Sequence, residues 1–247
     1  MRILVTRPEP DATETAGRLA ALGIEPVKLP LLQFVVLQTS LPDPKGFAAM
    51  AVTSANALRA LDRRGVLSRY LGLPLHAVGD RTAAAARDLG FTEVSSAAGA
   101  FADLVEQLAH SRFSGPVFYP TGREISGDLA RSLAPFGKMV IGAPVYAMVP
   151  VEAVDPEIVG QLRDGAISAA LIYSRRTAET FVRLLSPQLV AADRARVGML
   201  CLSEAVAAPL IDAHFVRIAL ADHPSEEAMM GLALSFARDH NASAPRG

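Results

Sequence analysis

Arg2-Ile3-Leu4-Val5-Thr6-Arg7, followed by Leu19, Gly23, Val27 and Pro30, returns later in the chain as Pro116-Val117-Phe118-Tyr119-Pro120-Thr121, followed by Leu133, Gly137, Ile141 and Pro144. Each of the four later landmarks lies 114 positions after its counterpart (19 and 133, 23 and 137, 27 and 141, 30 and 144). Further on the spacing lengthens slightly: Thr53-Ser54-Ala55-Asn56-Ala57 has its echo in Tyr173-Ser174-Arg175-Arg176-Thr177. Solenoid units repeat every 20–50 residues or so, and this period is far longer. It marks a duplicated half of domain size. Two similar halves are expected to leave a cleft between them, which is where small molecules bind.

Around these landmarks short apolar runs alternate with helical patterns. Ile3–Val5, Val27–Leu29, Met50–Val52 and Leu75–Val78 read as strands, and Ala12–Leu22, the segment from Ser54 to Arg64, Ala83–Leu89 and Phe101–His110 as helices. Gly23 and Gly90 stand where helices end in the left-handed conformation. The second half repeats the scheme through Val117–Tyr119, a helix to Phe136 closed by Gly137, Lys138–Ile141, Ala169–Tyr173, a helix from Thr177, Met199–Leu202, a helix from Glu204, and a last helix opened by Pro224-Ser225-Glu226-Glu227. Such alternation predicts an α/β fold of two similar lobes, each a parallel sheet flanked by helices. Pro30–Gln38 and Ala143–Val151 break the pattern at the same place in each half. About nine extended residues span roughly 30 Å, so these segments read as a two-stranded β linker. The tail Asn241–Gly247 is expected to be unstructured.

Composition narrows the function. Net charge is −1, from 24 Lys and Arg against 25 Asp and Glu, and no basic stripe suggests a nucleic-acid partner. Aromatics are 6% with no tryptophan, a poor basis for stacking bases. No apolar run approaches the roughly 18 residues of a membrane span, and no signal-peptide pattern opens the chain. The expected location is therefore the cytoplasm. The single cysteine, Cys201, lies in an apolar run and reads as a small buried hydrophobe. The five histidines show no metal-ligand spacing, and no cofactor is expected.

The chemistry is concentrated where strands pass into helices. Six such corners are polar: Thr6-Arg7, Thr53-Ser54, Gly79-Asp80-Arg81-Thr82, Thr121-Gly122-Arg123, Ser174-Arg175-Arg176-Thr177 and Ser203-Glu204. This edge of a parallel sheet carries ligands, and helix N-termini favour anions. A single Ser or Thr here is ordinarily a helix cap worth about 1 kcal/mol. Six together suit a large ligand with many carboxylates. Tyr146, midway along the second bridging segment, offers either a hydroxyl for proton donation or ordinary β packing, and the residues alone leave both open.

With these motifs in place, the chain resembles the uroporphyrinogen-III synthase family over nearly its whole length. The resemblance rests on Val5-Thr6-Arg7-Pro8, Thr53-Ser54-Ala55-Asn56-Ala57, Ala77-Val78-Gly79-Asp80-Arg81-Thr82-Ala83 with Leu89-Gly90-Phe91, Gly122-Arg123-Glu124, Pro144-Val145-Tyr146, Tyr173-Ser174 and Pro224-Ser225. It implies a discontinuous first lobe of residues 1–35 plus 149–247, a second lobe of residues 39–142, and bridging strands at 30–38 and 143–151. The implied reaction closes the linear tetrapyrrole hydroxymethylbilane to uroporphyrinogen III, with loss of water and inversion of ring D, in a monomer without metal or organic cofactor. Tyr146 is then the candidate acid for the departing hydroxyl. Arg7, Thr53, Ser54, Gly79, Thr82, Arg123, Ser174 and Ser203 are the candidate substrate contacts. One corner departs from the family pattern: where Gly-x-x-Thr-Ala is common, this chain reads Leu202-Ser203-Glu204-Ala205-Val206. The alternatives are a non-catalytic two-lobed binder of an anionic metabolite or tetrapyrrole, and a nucleotide-sugar transferase, although no conspicuous acidic pair for a metal–diphosphate stands out in the sequence.

Overall fold

The computed structural model describes residues 1–97, 99–125 and 127–242. In chain order the elements are β1 (Arg2–Val5), α1 (Asp11–Ala21), β2 (Glu25–Lys28), β3 (Leu32–Val36), β4 (Ala49–Val52), α2 (Ala55–Arg63), β5 (Leu75–Ala77), α3 (Asp80–Asp88), β6 (Val94–Ser96), α4 (Phe101–Ala109), β7 (Val117–Gly122), α5 (Leu129–Leu133), β8 (Val140–Pro150), α6 (Pro156–Arg163), β9 (Ala169–Ile172), α7 (Arg175–Leu185), α8 (Ala191–Arg196), β10 (Gly198–Cys201), α9 (Glu204–Asp212), β11 (Ile218–Leu220) and α10 (Glu226–Ala242). Helix α10 takes in the first two residues of the expected unstructured tail. Residues 243–247 lie outside the described residues.

The chain divides into two compact units, one of Met1–Gln33 with Val149–Gly247 and one of Phe34–Met148. The first holds a five-stranded sheet of order β11-β10-β9-β1-β2, every pairing parallel. Its three inner strands, β1, β9 and β10, are buried on both faces, as a parallel sheet covered by helices requires. Alternation along β1 sends Leu4 to one side, against Val159 and Leu162 of α6, Phe181 of α7 and Leu210 of α9. Ile3 and Val5 go to the other side, against Ala12 and Leu19 of α1 and Met229 and Ala233 of α10.

The second unit holds the six-stranded sheet, of order β3-β8-β7-β4-β5-β6. Met50, Val52 and Phe118 face α2 and α3 through Leu58, Leu61, Ala83 and Ala86. Ala51, Val117 and Tyr119 face α4 and α5 through Leu104, Leu108, Leu129 and Leu133. Strands β3 and β8 run antiparallel: Leu37 N–H donates to the Val145 carbonyl and Val151 N–H to the Leu31 carbonyl, so position falls along one strand as it rises along the other. Strand β3 is five residues and β8 eleven, so the two bridging segments, read as equal in length, differ about twofold as regular strand.

The repeat seen in the sequence is a repeat of register. In β1, Ile3 pairs Ala169 and Pro26; in β7, Val117 pairs Ala49 and Val140. Met199 pairs Ile218 as Leu75 pairs Val94. Strand by strand, β9-β10-β11-β1-β2 of the first unit corresponds to β4-β5-β6-β7-β8 of the second, so the units are circular permutants of one another. The helix ends match to the same degree. Gly23 N–H bonds Ala20 O and Ile24 N–H bonds Leu19 O, and 114 residues later Gly137 bonds Ala134 and Lys138 bonds Leu133. Gly23 and Gly137 have φ of +74° and +68°, a conformation that costs glycine little.

Periodicity missed helices α6 and α8, of eight and six residues, and strands β6 and β11, three-residue strands at equivalent sheet edges, too short to show alternation. Behind β6, His76 Nδ1 lies 2.9 Å from Ser95 Oγ and 3.2 Å from Gln107 Nε2. Burial lowers the His76 pKa below its ordinary 6.5. The unfolded chain therefore takes up a proton at higher pH than the folded one. The stability that His76 contributes is complete above pH 6.5 and falls as pH drops below it. Urea unfolding between pH 7.5 and 5.5 should show this loss in the wild type, and the slope should flatten in His76→Asn.

Candidate active site

Strand β4 ends at Val52 and the chain turns through Thr53-Ser54 into α2. Ser54 is extended, and its Oγ accepts from Asn56 N–H at 3.2 Å, capping the helix. Thr53, released from that duty, sets its Oγ1 3.1 Å from the Tyr119 hydroxyl, which arrives from the neighbouring strand β7. Tyr146 comes from β8, one strand further on, and Ser54 hydrogen-bonds its hydroxyl.

Three more contacts fix the Tyr146 ring and strand. Its ring stacks on Phe34 of β3, centroids 5.6 Å apart. Its carbonyl accepts from Arg123 N–H at 2.8 Å, beside a register shift in the β7–β8 pairing at Thr121/Gly122. Its far edge lies on Gly122: a Cβ at that position would stand 3.0 Å from Tyr146 Cζ and 3.1 Å from both its hydroxyl and the Glu124 carbonyl oxygen. Only glycine leaves room for ring and backbone together. Burial raises the Tyr146 pKa above its usual 10; nearby Tyr119 and Glu124 push the same way, and the bond from Ser54 opposes them. The phenol is therefore held neutral, with a proton to give.

Gly79 and Thr82 stand on the same sheet edge, after β5 beside β4. Gly79 precedes α3 in extended conformation, and a Cβ there would come within 3.1 Å of Gly99 Cα, so two backbone segments meet without side chains between them. Thr82 is buried at 7% exposure inside the first turn of α3.

The first unit places Arg7, Ser174 and Ser203 along the equivalent edge. Ser174 Oγ accepts from Thr177 N–H at 3.1 Å and contacts Thr177 Oγ1 at 2.8 Å, capping α7. Ser203 precedes α9 without a side-chain cap bond. In the departing corner Glu204 is exposed, and the segment opens α9. Arg7 is engaged internally: it bonds Asp11 at 2.7 Å, Thr15 at 3.2 Å and Glu226, and its guanidinium lies 4.4 Å above the Tyr173 ring. Two carboxylates thus neutralise the cation expected to meet a ligand, because the first turn of α10 carries Glu226 to it.

Two of the six corners also differ from a strand that runs directly into a helix. After Thr6-Arg7 helix α1 waits until Asp11, and after Gly122-Arg123 helix α5 waits until Leu129, capped by Asp128. Arg123 is exposed on that intervening loop. The structure brings together Thr53, Ser54 and Tyr146, three of the residues expected from the sequence, and adds Tyr119 and the close seat on Gly122, which the sequence did not suggest. The available signal for Tyr119 was a polar aromatic two residues after Val117, on a face otherwise apolar. Cys201 is buried, which pushes its thiol up to about 12. Among the described residues no three His, Cys, Asp or Glu gather in a way that could hold a metal ion, and no helix is long and apolar enough to cross a membrane.

Comparison with solved structures finds the same fold in uroporphyrinogen-III synthetase from Helicobacter pylori 26695. The two share 22% identity over 96% of this chain and 100% of that one, with a TM-score of 0.66. A mutant uroporphyrinogen III synthase from the extremely thermophilic bacterium Thermus thermophilus is similar at 16% identity over 98% of this chain and 100% of that one, TM-score 0.57. Comparison with curated proteins gave no significant match. The family model described as uroporphyrinogen-III synthase HemD matches residues 13–231, the greater part of both units. The chain belongs to the uroporphyrinogen-III synthase family, cyclising lyases of tetrapyrrole biosynthesis.

Proposed function

We propose that this chain closes hydroxymethylbilane to uroporphyrinogen III and that the hydroxyl corner of the second unit carries the acid chemistry. The observation that carries the activity is the family match across residues 13–231. What supports the role of Tyr146 is its geometry: a neutral, half-buried phenol braced by Phe34, Gly122 and Ser54. As the C–O bond of the hydroxymethyl group breaks, the Tyr146 hydroxyl gives its proton to the leaving oxygen and water departs. The cation left behind is captured by the substituted carbon of ring D, giving a spiro intermediate. The bond from that carbon to the ring C methylene then breaks, the freed methylene bonds to ring D's unsubstituted α-carbon, and loss of the proton there completes the inverted ring and restores the phenol.

Uncatalysed closure gives the unflipped isomer I, so the protein's contribution is orientation and charge stabilisation. The substrate's eight carboxylates suit the N–H groups and hydroxyls at Thr53, Ser54, Gly79, Thr82, Ser174 and Ser203, with exposed Arg123 supplying bidentate recognition. Arg7 supports its corner from behind, since its charge is already met. Residues 1–35 with 149–247 and residues 39–142 act as the two substrate-holding lobes, with β3 and β8 as the linker. The protein works as a cytoplasmic monomer without membrane partners and without nucleic-acid partners, the last of these a reading that the balanced charge supports. Incubation with hydroxymethylbilane, followed by oxidation and chromatography, tests the activity. Isomer III formed faster than spontaneous isomer I is the expected result. Isomer I alone returns the chain to the status of a binding protein.

A further inference from the structure

The Tyr119 hydroxyl has no role in building the fold. Tyr119 is 5% exposed, and its ring lies in an apolar cluster with Ala51, Val117, Leu104 and Leu129. A phenylalanine would fill that place with no polar atom to satisfy. The hydroxyl is instead spent on Thr53 Oγ1, 3.1 Å away.

The first unit is an internal control. Its strands keep the same register, so Val5 stands where Tyr119 stands and Tyr173 where Thr53 stands. The equivalent corner forms there with Ser174 as its cap, and the Tyr173 hydroxyl, in Thr53's place, turns to Glu226 and Thr15 rather than to Val5 of the neighbouring strand, which has no hydroxyl. The pair is therefore a property of the second unit alone. It is also the unit that holds Tyr146. The two tyrosines reach the Thr53-Ser54 corner from opposite faces of the sheet: Tyr119 from the face of α4 and α5, paired with Thr53, and Tyr146 from the face of α2 and α3, paired with Ser54.

We infer that Tyr119 is a positioning residue of the active site, holding the Thr53 hydroxyl in one rotamer so that its remaining hydrogen-bonding capacity faces the ligand beside Tyr146. Thr53 has three staggered rotamers, and the cap bond that fixes Ser54 is absent for it. The Tyr119 hydroxyl supplies the missing constraint. This inference rests on the proposed cyclase reading.

The test is Tyr119→Phe, which removes one oxygen and keeps the buried ring, together with Thr53→Val and the double variant, all assayed for isomer III beside the wild type. A fall in kcat of about fivefold to twentyfold with KM within twofold is expected for Tyr119→Phe, and at least as large a fall for Thr53→Val, which also loses its own substrate contact and raises KM. The double variant should be no worse than Thr53→Val alone, because once the Thr53 hydroxyl is gone the Tyr119 hydroxyl has nothing left to hold. Thermal unfolding is recorded for each. Loss of stability with wild-type kcat, or single effects that multiply in the double variant, overturns the positioning role. A wild-type chain that yields only isomer I overturns the cyclase reading itself, and the role of Tyr119 with it. Wild-type isomer III with an unchanged Tyr119→Phe overturns the inference alone.

Discussion

Tyr146→Phe lowers kcat for isomer III about a hundredfold, the lower range for loss of a general acid, while KM stays within about twofold. The asymmetry follows from geometry. Phenylalanine keeps the stack on Phe34 and the seat on Gly122, so the corner retains its shape and the substrate its contacts. On the proposed reading, what is lost is the proton given to the leaving oxygen. Spontaneous closure then competes, and the product mixture shifts toward isomer I. Single-turnover kinetics with isomer analysis separates this from impaired binding. An unchanged kcat would make Tyr146 a packing residue, and raised KM with normal kcat would make it a substrate contact only. A tyrosine is a weak acid, and burial weakens this one further. Its value lies in being fully protonated throughout the physiological range.

Glu226→Ala destabilises the first unit by about 3 kcal/mol, as expected when one partner of a largely buried ion pair is removed. Glu226 receives Arg7, Thr15 Oγ1 at 2.9 Å and the Tyr173 hydroxyl at 3.1 Å. Arg7 and Glu226 have side chains only 12% and 16% exposed, so water replaces little of what is lost. The change leaves the Tyr173 hydroxyl and Thr15 without their acceptor and unties α10 from α1. Differential scanning calorimetry should show the first unit's transition lowered by roughly 6–12 °C, at 2–4 °C per kcal/mol. Glu227→Ala, one residue on, meets only half-exposed Arg18 and should leave that transition in place. Equal shifts from the two variants would show that the buried network is no stronger than a surface pair.

The period of the sequence disclosed the architecture because the repeat is conserved in register, not merely in composition. Gly23 and Gly137 terminate helices with the same bonds, and Ile3 and Val117 sit at the same point of their sheets. Capping was legible too: Ser54, Ser174 and Ser225 each accept from a helix N–H, as hydroxyls before helices do. Other features depend on contacts that no local pattern encodes. Arg7 reads as a spare cation until α10 brings Glu226 from 219 residues away. Tyr119 reads as a strand aromatic until β7 takes its place beside β4. Gly122 reads as a turn residue, yet it lies in a strand and is small because Tyr146 rests on it. Each is a tertiary fact attached to an ordinary-looking position.

The permuted order of the first unit also has a meaning for biosynthesis. Strand β1 is made before the other strands of its sheet, yet it lies inside that sheet, between β9 and β2. Its partner Ala169 follows Ile3 only after the entire second unit has been made. At about 5–20 residues per second, Ile3-Leu4-Val5 spends on the order of ten to thirty seconds exposed on the nascent chain. Meanwhile the second unit, contiguous from Phe34 to Met148, can fold behind it. The first-made strand of this sheet is thus among the last to be enclosed, and until β9 arrives its apolar residues are shielded on one side only, by β2.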